Sequence, residues 1–236
     1  WRLGDYRRAA DHYQRAWGLY QQLGDKTGQA DASVRLALVD ERLGDEERAA
    51  ERLEAALTLY SGLGDGYSEA YVHSLLARLQ RRPEQLDRTA GRLERSLAEV
   101  RRAGDRTAEA YALTDLGAIL ARRGRLSDAA GHLRQALVLH RRIGDRASEA
   151  EALNDLGQVL RAAGDAADAR TQHGEALALA QEIGDRYEQA RAHEGIAAAF
   201  QVIGDLDRAG PHQHHAERIF ADLEVPAPAP VAYGTR

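Results

Sequence analysis

The chain has 236 residues, of which 44% are hydrophobic and 29% are charged, and its formal net charge is −5. This balance is typical of a folded globular protein and not of a disordered chain. Cysteine is absent, which excludes disulfides, thiolate nucleophiles and cysteine-based zinc sites. The sequence has no secretory signal and no apolar run of about 18 residues, and its acidic balance argues against a general affinity for nucleic acid. We therefore expect no membrane partner, no nucleic-acid partner and a cytoplasmic location.

A Gly-Asp pair recurs along the sequence at intervals that are always a multiple of 20 residues. Two further slots in the same register carry Gly124-Arg125 and Glu84-Gln85. No insertion breaks the register, so the chain is an internal repeat with a half-period of 20 residues and a full period of 40. The Gly-Asp pairs lie at 4–5, 24–25, 44–45, 64–65, 104–105, 144–145, 164–165, 184–185 and 204–205.

The segments between these pairs have the periodicity of amphipathic helices. Between 146 and 163, for example, Ala150, Leu153, Leu156 and Leu160 fall on one face. Glycine predicts the end of each helix because it readily takes the left-handed conformation, and the aspartate predicts an N-cap for the next helix. Since the links are this short, consecutive helices must be antiparallel neighbours. We predict eleven helices of about 16 residues each and no strand.

The same register predicts the domain organisation. The first helix, near 6–22, has no partner before it, and five helix pairs follow. Prolines among alanines after the last helix predict a flexible tail. Because methionine is absent even at position 1, we expect the chain to be a fragment of a longer protein. The predicted parts are an array over 1–222, made of a half repeat 3–23 and the repeats 24–63, 64–103, 104–143, 144–183 and 184–222, and a tail over 223–236.

Large and small residues recur at fixed places in each full repeat. In the fourth pair this set is Leu153, Leu156, Gly157, Leu160, Ala169 and Ala176. It resembles the signature of the tetratricopeptide repeat (TPR), in which small residues stand where two helices cross. The period is 40, not the commoner period of about 34. In this the chain is similar to Pins/LGN adaptors, to kinesin light chains and, above all, to the C-terminal arrays of AfsR/SARP-type and other STAND nucleotide-switch regulators of high-GC bacteria. The resemblance implies an all-α, right-handed α-solenoid of eleven antiparallel helices.

The sequence carries no recognisable catalytic motif. The residues around Lys26 lack the glycine spacing of a phosphate-binding loop. Neither a G-x-S-x-G nucleophile elbow nor an H-E-x-x-H metal motif occurs. Carboxylates are numerous, but most fall at predicted helix caps or on solvated faces. We therefore expect no enzymatic activity, no cofactor and no metal.

The last predicted helix leaves two questions open. His212, His214 and His215 lie close together in sequence, and His212 and His215, which are one turn apart, can share a metal. The favoured interpretation is the polar outer face of a terminal repeat. Pro211 either kinks this helix or marks the place near which its regular part begins.

Two other histidines occupy positions that carry leucine elsewhere. His73 and His193 stand where the third and fourth pairs have Leu113 and Leu153. We interpret both histidines as partly buried packing residues and not as ligands.

The resemblance implies that the first helix of each pair lines the concave side of the array. The register then places arginine, tyrosine and amide side chains in this groove. Arginine and tyrosine are frequent interface anchors, and asparagine can hydrogen-bond a peptide backbone in both directions. The alternative is that the arginines form a solvated helix face. The candidate partner-binding residues are Tyr71, Arg78, Arg81, Arg82, Tyr111, Arg122, Asn154, Gln158, Arg161 and Arg191.

These observations lead to a functional hypothesis. We interpret the chain as a protein–protein interaction or sensor module. It is expected to bind a protein or peptide, with an acidic segment favoured. The parent protein would be a larger bacterial signalling or transcriptional regulator, of which this chain is the regulatory C-terminal part. One alternative is a ligand-sensing array that restrains a nucleotide-switch ATPase and a DNA-binding region outside this chain; another is a self-assembling scaffold. Trp17 replaces the leucines of later repeats, so it occupies a packing position. Because no complete helix precedes this one in the sequence, we expect part of the apolar face to be uncovered and to cause self-association through the N-terminal end.

Overall fold

The structure is a computed structural model, and it describes residues 5–80 and 83–228. Every regular element within these residues is an α-helix. The helices are α1 (Tyr6–Leu23), α2 (Lys26–Arg42), α3 (Glu46–Leu63), α4 (Gly66–Gln80), α5 (Pro83–Ala103), α6 (Arg106–Arg122), α7 (Leu126–Ile143), α8 (Arg146–Ala162), α9 (Ala166–Glu182), α10 (Arg186–Val202) and α11 (Leu206–Asp222). The eleven helices of the described residues confirm the predicted all-α fold class.

The helices begin at 20-residue intervals, as the register predicts. The exception is α5, which begins at Pro83 instead of Leu86. Proline is favoured in the first turn of a helix because its missing N–H would have no helical partner there. The slot before α5 also lacks the Gly-Asp pair that sets the start of its neighbours.

The Gly-Asp pair closes one helix and opens the next. At the α1–α2 link, Gly24 has a φ of 71°, and its N–H donates to the carbonyl of Gln21 at 3.2 Å. The N–H of Asp25 donates to the carbonyl of Tyr20 at 3.0 Å, while its carboxylate accepts the N–H of Gly28 at 2.9 Å. One aspartate therefore satisfies backbone groups at the ends of both helices.

The same geometry recurs at the other links. The nine described link glycines all have a positive φ, between 71° and 96°. Two links depart from the predicted N-cap, since Arg125 stands in place of aspartate and the side chain of Asp165 makes no capping bond. The helix ends and aspartate N-caps predicted from the sequence are thus present in the structure, with these two exceptions among the caps.

Contacts divide the chain into two compact units. One comprises Asp5–Ser96, and the second begins at Leu97. In the first unit, Val34, Leu53 and Leu76 belong to one buried cluster.

The N-terminal helix of the first unit leaves apolar side chains uncovered. Trp17 is half-buried in α1, whereas Leu19 and Leu23 are 59% and 79% exposed. The expected self-association through this end stays a prediction.

The second unit packs α6 to α11 with small residues at helix crossings. A Cβ at Gly117 of α6 would come within 2.7 Å of the Leu133 side chain on α7. Toward the end of the unit, Ile196 and Phe200 of α10 form a buried cluster with Ala209 of α11. The close approach of α6 and α7 explains why the repeat carries glycine there.

The bounds of α11 decide between the two interpretations of Pro211. Because α11 begins at Leu206 and contains Pro211, the interpretation in which the regular helix begins near Pro211 is wrong. Leu223 and Val225 are buried after this helix, and residues 229–236 of the predicted tail lie outside the described residues. The predicted boundaries of repeats and tail stay predictions. None of the described helices combines the length and apolar character that a membrane span requires.

Candidate functional site

The first helices of consecutive pairs in the second unit are neighbours. α8 contacts both α6 and α10, in addition to the helix that it is paired with. These three helices carry the second-unit residues that the sequence places in the groove. Some of these polar side chains have partners inside the protein, whereas Gln158 and Arg161 have no hydrogen-bond or ion-pair partner among the described residues.

Tyr111 of α6 has partners inside the unit. Its hydroxyl donates to the carboxylate of Asp145 at 2.5 Å, and its ring lies edge-on to that of His140, with centroids 5.4 Å apart. His140 is fully buried and lies 3.1 Å from the hydroxyl of Thr114. Because Tyr111 makes these contacts and is half-buried, only part of its ring is left for a partner.

Arg122 is half-buried at the end of the same helix.

Asn154 of α8 is fully buried. Its Nδ2 donates to the carbonyl oxygen of Glu188 at 3.1 Å and to the Glu188 carboxylate at 2.9 Å. Its Oδ1 accepts from Nδ1 of His173 at 2.9 Å. Both ends of the amide are bonded within the protein and the side chain is fully buried, so Asn154 does not reach a peptide backbone.

Arg191 of α10 is also occupied, and its side chain is only 10% exposed. Its guanidinium donates to the carboxylate of Glu188 at 2.9 Å and to that of Asp155 at 2.6 Å. Burial alone would lower its pKa, but the charges of Glu188 and Asp155 raise the pKa of Arg191 well above its usual value. Arg191 joins α10 to α8 and does not face a partner freely.

His173 of α9 completes this buried network, and the sequence analysis did not single it out. Its ring is fully buried, and a Cβ at Gly157 would come within 2.6 Å of the ring. A Cβ at Gly195 of α10 would come still closer to the same ring. Burial lowers the pKa of His173 to about 3, so the ring is neutral. The available sequence signal was a histidine where the preceding pair has Leu133, combined with a glycine in α8 and another in α10.

Gln158 and Arg161 lie one turn apart on α8 and are half-buried. Within the part of the chain that the structure describes, neither side chain makes a hydrogen bond or an ion pair. The repeat position of Gln158 is occupied by Ala118 on α6 and Ala198 on α10, which are small. This face therefore combines polar groups that have no partner among the described residues with small side chains at the equivalent positions of α6 and α10.

Glu194 of α10 lies near the same arginines. Burial raises its pKa, although Arg191 and Arg161 act to lower it. It makes no hydrogen bond within the described residues. We call Gln158, Arg161 and Glu194 the α8–α10 surface.

The remaining candidates belong to the first unit. Tyr71 is half-buried on α4, and its carbonyl accepts from the hydroxyl of Ser74 at 2.7 Å. Arg81 and Arg82 lie outside the described residues, as does the side chain of Arg78. These positions stay predictions.

A metal centre finds no support in the described residues, which contain no group of three or more His, Asp or Glu side chains that can hold an ion. His212, His214 and His215 therefore do not form one by themselves. His212 and His215 instead meet His193, which is considered below.

Comparison with known proteins defines the class to which this fold belongs. Residues 110–182 match the tetratricopeptide repeat family, and the solved structures that resemble the chain include TPR-repeat proteins. The resemblance to the tetratricopeptide repeat and the prediction of an all-α solenoid are thereby confirmed. This is the fold of a protein–protein interaction module. No curated protein matches the sequence.

Three solved structures illustrate the likeness. BtubC (BKLC) from P. vanneervenii has 22% identity and a TM-score of 0.63, with 96% of this chain and 95% of that chain covered. A Signal Transduction ATPase with Numerous Domains (STAND) protein with a tetratricopeptide repeat sensor, from Pyrococcus horikoshii, has 19% identity and a TM-score of 0.63 over 94% of this chain and 34% of its own. A Rap protein in complex with competence and sporulation factor has 16% identity and a TM-score of 0.65, with 93% and 66% covered. At these identities the likeness concerns the fold.

Proposed function

We propose that this chain is a non-catalytic binding module that holds an extended, carboxylate-bearing protein segment on the α8–α10 surface. The observation that carries the proposal is Arg161, a half-buried guanidinium with no hydrogen-bond or ion-pair partner in the described residues. A half-buried guanidinium whose N–H groups have no acceptor among the described residues can donate to an incoming carboxylate. Such a charge-assisted hydrogen bond is stronger than a neutral one.

The chemistry of the surface supports this partner. The planar guanidinium of Arg161 can hold a carboxylate through two parallel bonds. One turn away, Gln158 offers a donor and an acceptor at once, which matches the alternating groups of a peptide backbone. Glu194 adds an acceptor for an N–H or a cationic side chain. The small side chains of Ala118 and Ala198 leave space for a main chain to approach.

Selection from a random peptide library, followed by titration of the recovered peptide, tests the proposal. Arg161→Ala is expected to weaken binding about tenfold, which corresponds to about 1.4 kcal/mol. Arg134→Ala is the matched control, because it removes the same charge from an exposed position on α7. Equal affinities of the wild type and Arg161→Ala, with both proteins folded, would place the binding surface elsewhere.

We propose further that the module is the regulatory part of a larger cytoplasmic regulator of the STAND or AfsR/SARP type. The sequence resemblance and the fold likeness to a STAND protein with a tetratricopeptide repeat sensor support this assignment. In the alternative form, the array senses a ligand and restrains a nucleotide-switch ATPase. A phosphate-binding loop and a winged DNA-binding region encoded upstream of Trp1 would support this ligand-sensing role. A domain of another kind encoded there would favour an adaptor or a self-assembling scaffold.

A further inference from the structure

His193 of α10 occupies a position where the fold does not require histidine. The equivalent residues of the two preceding pairs, Leu113 and Leu153, are buried with 0% and 1% exposure. An apolar side chain therefore fills this place in both pairs, whereas His193 is only half-buried. A reason for the histidine must be sought in what it contacts.

Two histidines of α11 lie against His193. The Nδ1 atoms of His193 and His212 are 2.8 Å apart, and the ring of His215 stacks on that of His193 with centroids 5.1 Å apart. Because one ring nitrogen must donate and the other must accept, the bond between His193 and His212 requires that one Nδ1 lacks a hydrogen. Nδ1 of His215 lies 2.7 Å from the carbonyl oxygen of Pro211, which accepts its hydrogen. We call His193, His212 and His215 the histidine cluster.

The charged groups around the cluster offer little compensation for added positive charge. On α11, Arg218 acts on His193 with the same sign as protonated His212 and His215. Two acidic groups at that helix have partners of their own, since the N-cap residue Asp205 accepts from Arg208 and Glu217 accepts from Gln213.

Among the described residues, no carboxylate of the other helices packed on α10 acts on His193. From α9, Arg170 lies over the ring of Phe200 at 5.2 Å, and that ring neighbours His212 at 6.2 Å. From α8, Asp155 is paired with Arg191. A proton added to the cluster therefore meets mainly positive neighbours.

We propose that the histidine cluster makes the packing of α11 on α10 depend on protonation. With neutral rings, the His193–His212 hydrogen bond joins the two helices. When both rings are protonated, both Nδ1 atoms carry hydrogens, so the bond is lost and like charges face each other. Mild acid then loosens the last helix and exposes Ile196 and Ala209, which α10 and α11 bury between them.

The direction of the pH dependence follows from the pKa values. Burial, together with His212 and His215, lowers the pKa of His193 to about 4, and burial and His215 also lower the pKa of His212. The neutral form is thus the one that the packed state favours. Its contribution is complete above the ordinary histidine pKa of about 6.5. It is lost as the pH falls from there through the folded pKa of His193, about 4.

Hydrogen exchange of the whole chain tests the proposal. Protection factors of the α11 amides are expected to fall by up to about tenfold per pH unit for each proton taken up between about pH 7 and pH 5. His193→Leu places the residue of the preceding pairs at this position, so it is expected to keep the packing and to weaken the pH dependence of the α11 amides. His212→Gln keeps a hydrogen-bonding group that takes up no proton and is expected to flatten the dependence as well. His214→Gln changes an exposed histidine of α11 outside the cluster and is expected to behave as the wild type.

The comparison between variants decides the outcome. If α11 of the wild type keeps its protection over this range, the proposal is overturned. It is equally overturned if His193→Leu and His212→Gln lose protection in acid as steeply as the wild type does. Should one variant fold poorly at neutral pH, the other answers the question alone.

Discussion

Nδ1 of His173 lies 2.9 Å from Oδ1 of Asn154, a bond that joins the second helix of one pair to the first. The same asparagine donates to Glu188 on α10, which in turn accepts from Arg191. Three helices are therefore connected through buried polar groups, and each group in this chain of contacts satisfies the next. Such a network stabilises one arrangement of the helices because any displacement leaves a buried polar atom without its partner.

The glycines beside His173 are expected to be intolerant of a methyl group. A Cβ at Gly157 would stand 2.6 Å from the imidazole, so Gly157→Ala should destabilise the protein by about 1–3 kcal/mol through overpacking. Gly174 lies in α9 with nothing within 4 Å of its added Cβ. Gly174→Ala should therefore stabilise the protein by about 0.5–1 kcal/mol, because alanine favours the helix. Urea denaturation followed by circular dichroism measures both, and equal effects of the two variants would contradict the packing argument.

Removing Arg191 is expected to take one positive charge away from two carboxylates, those of Glu188 and Asp155. Glu188 is only 4% exposed, so Arg191→Ala should cost about 3–5 kcal/mol, as breaking a buried ion pair does. Arg186→Ala on the same helix removes an exposed pair with Asp222 and should cost less than about 1 kcal/mol. Chemical denaturation of both variants at neutral pH gives the comparison. A small loss for Arg191→Ala would mean that the network reorganises without it.

His173 is expected to make the second unit sensitive to acid. Its pKa is lowered to about 3 by burial, whereas an unfolded chain has the ordinary value of about 6.5. The stabilisation by neutral His173 is therefore complete above about pH 6.5 and declines as the pH falls toward the folded value.

His173→Leu places the residue of the preceding pair at this position and tests that expectation. It should lower stability at pH 7 by about 1–3 kcal/mol, since Asn154 loses a buried partner. Between about pH 6.5 and pH 4 its stability should fall less steeply with acid than that of the wild type. Parallel slopes in unfolding measured across this range would refute the assignment.

The aspartate caps are expected to differ in importance according to their bonds. The carboxylate of Asp145 accepts from the N–H of Ser148 at 3.1 Å and from the hydroxyl of Tyr111, so Asp145→Ala should cost about 1–2 kcal/mol. Asp165 makes no side-chain capping bond, and Asp165→Ala should cost only a charge–dipole contribution of about 0.3–1 kcal/mol. Thermal unfolding of the two variants at neutral pH provides the measurement.

Acid should remove the contribution of Asp145. Burial alone would raise its pKa, but the hydrogen bonds from Tyr111 and Ser148 hold the pKa of Asp145 below its usual value. A carboxylate of this kind stabilises the fold above the unfolded pKa of about 3.9, and the effect disappears as the pH falls through the folded value. The difference between the wild type and Asp145→Ala should accordingly shrink in strong acid. A difference that persists there would point to packing and not to the charge.

Local rules were sufficient to predict the helices and their links. A glycine in the left-handed conformation and an aspartate N-cap act within a few residues, so they can be recognised from a sequence alone, as at Gly24 and Asp25. The 40-residue register placed Gln158 and Arg161 on one face of a single helix for the same reason, since one turn of α-helix separates them. Where the local signal was missing, before α5, the predicted start was also displaced.

The use of each side chain was decided by the tertiary structure. Asn154 meets a partner 19 residues away in His173 and another 34 residues away in Glu188, and Arg191 meets Asp155 across 36 residues. The same holds for His193 and His212, which are 19 residues apart. These contacts depend on how closely α8, α9, α10 and α11 pack, which the glycines at 157 and 195 permit and which no rule within one helix can specify. The sequence by itself therefore determined the helices and which residues share a face. Only the packing of helices distant in sequence determined that Asn154 and Arg191 make their hydrogen bonds inside the protein. The same packing leaves Gln158 and Arg161 without a hydrogen-bond or ion-pair partner among the described residues.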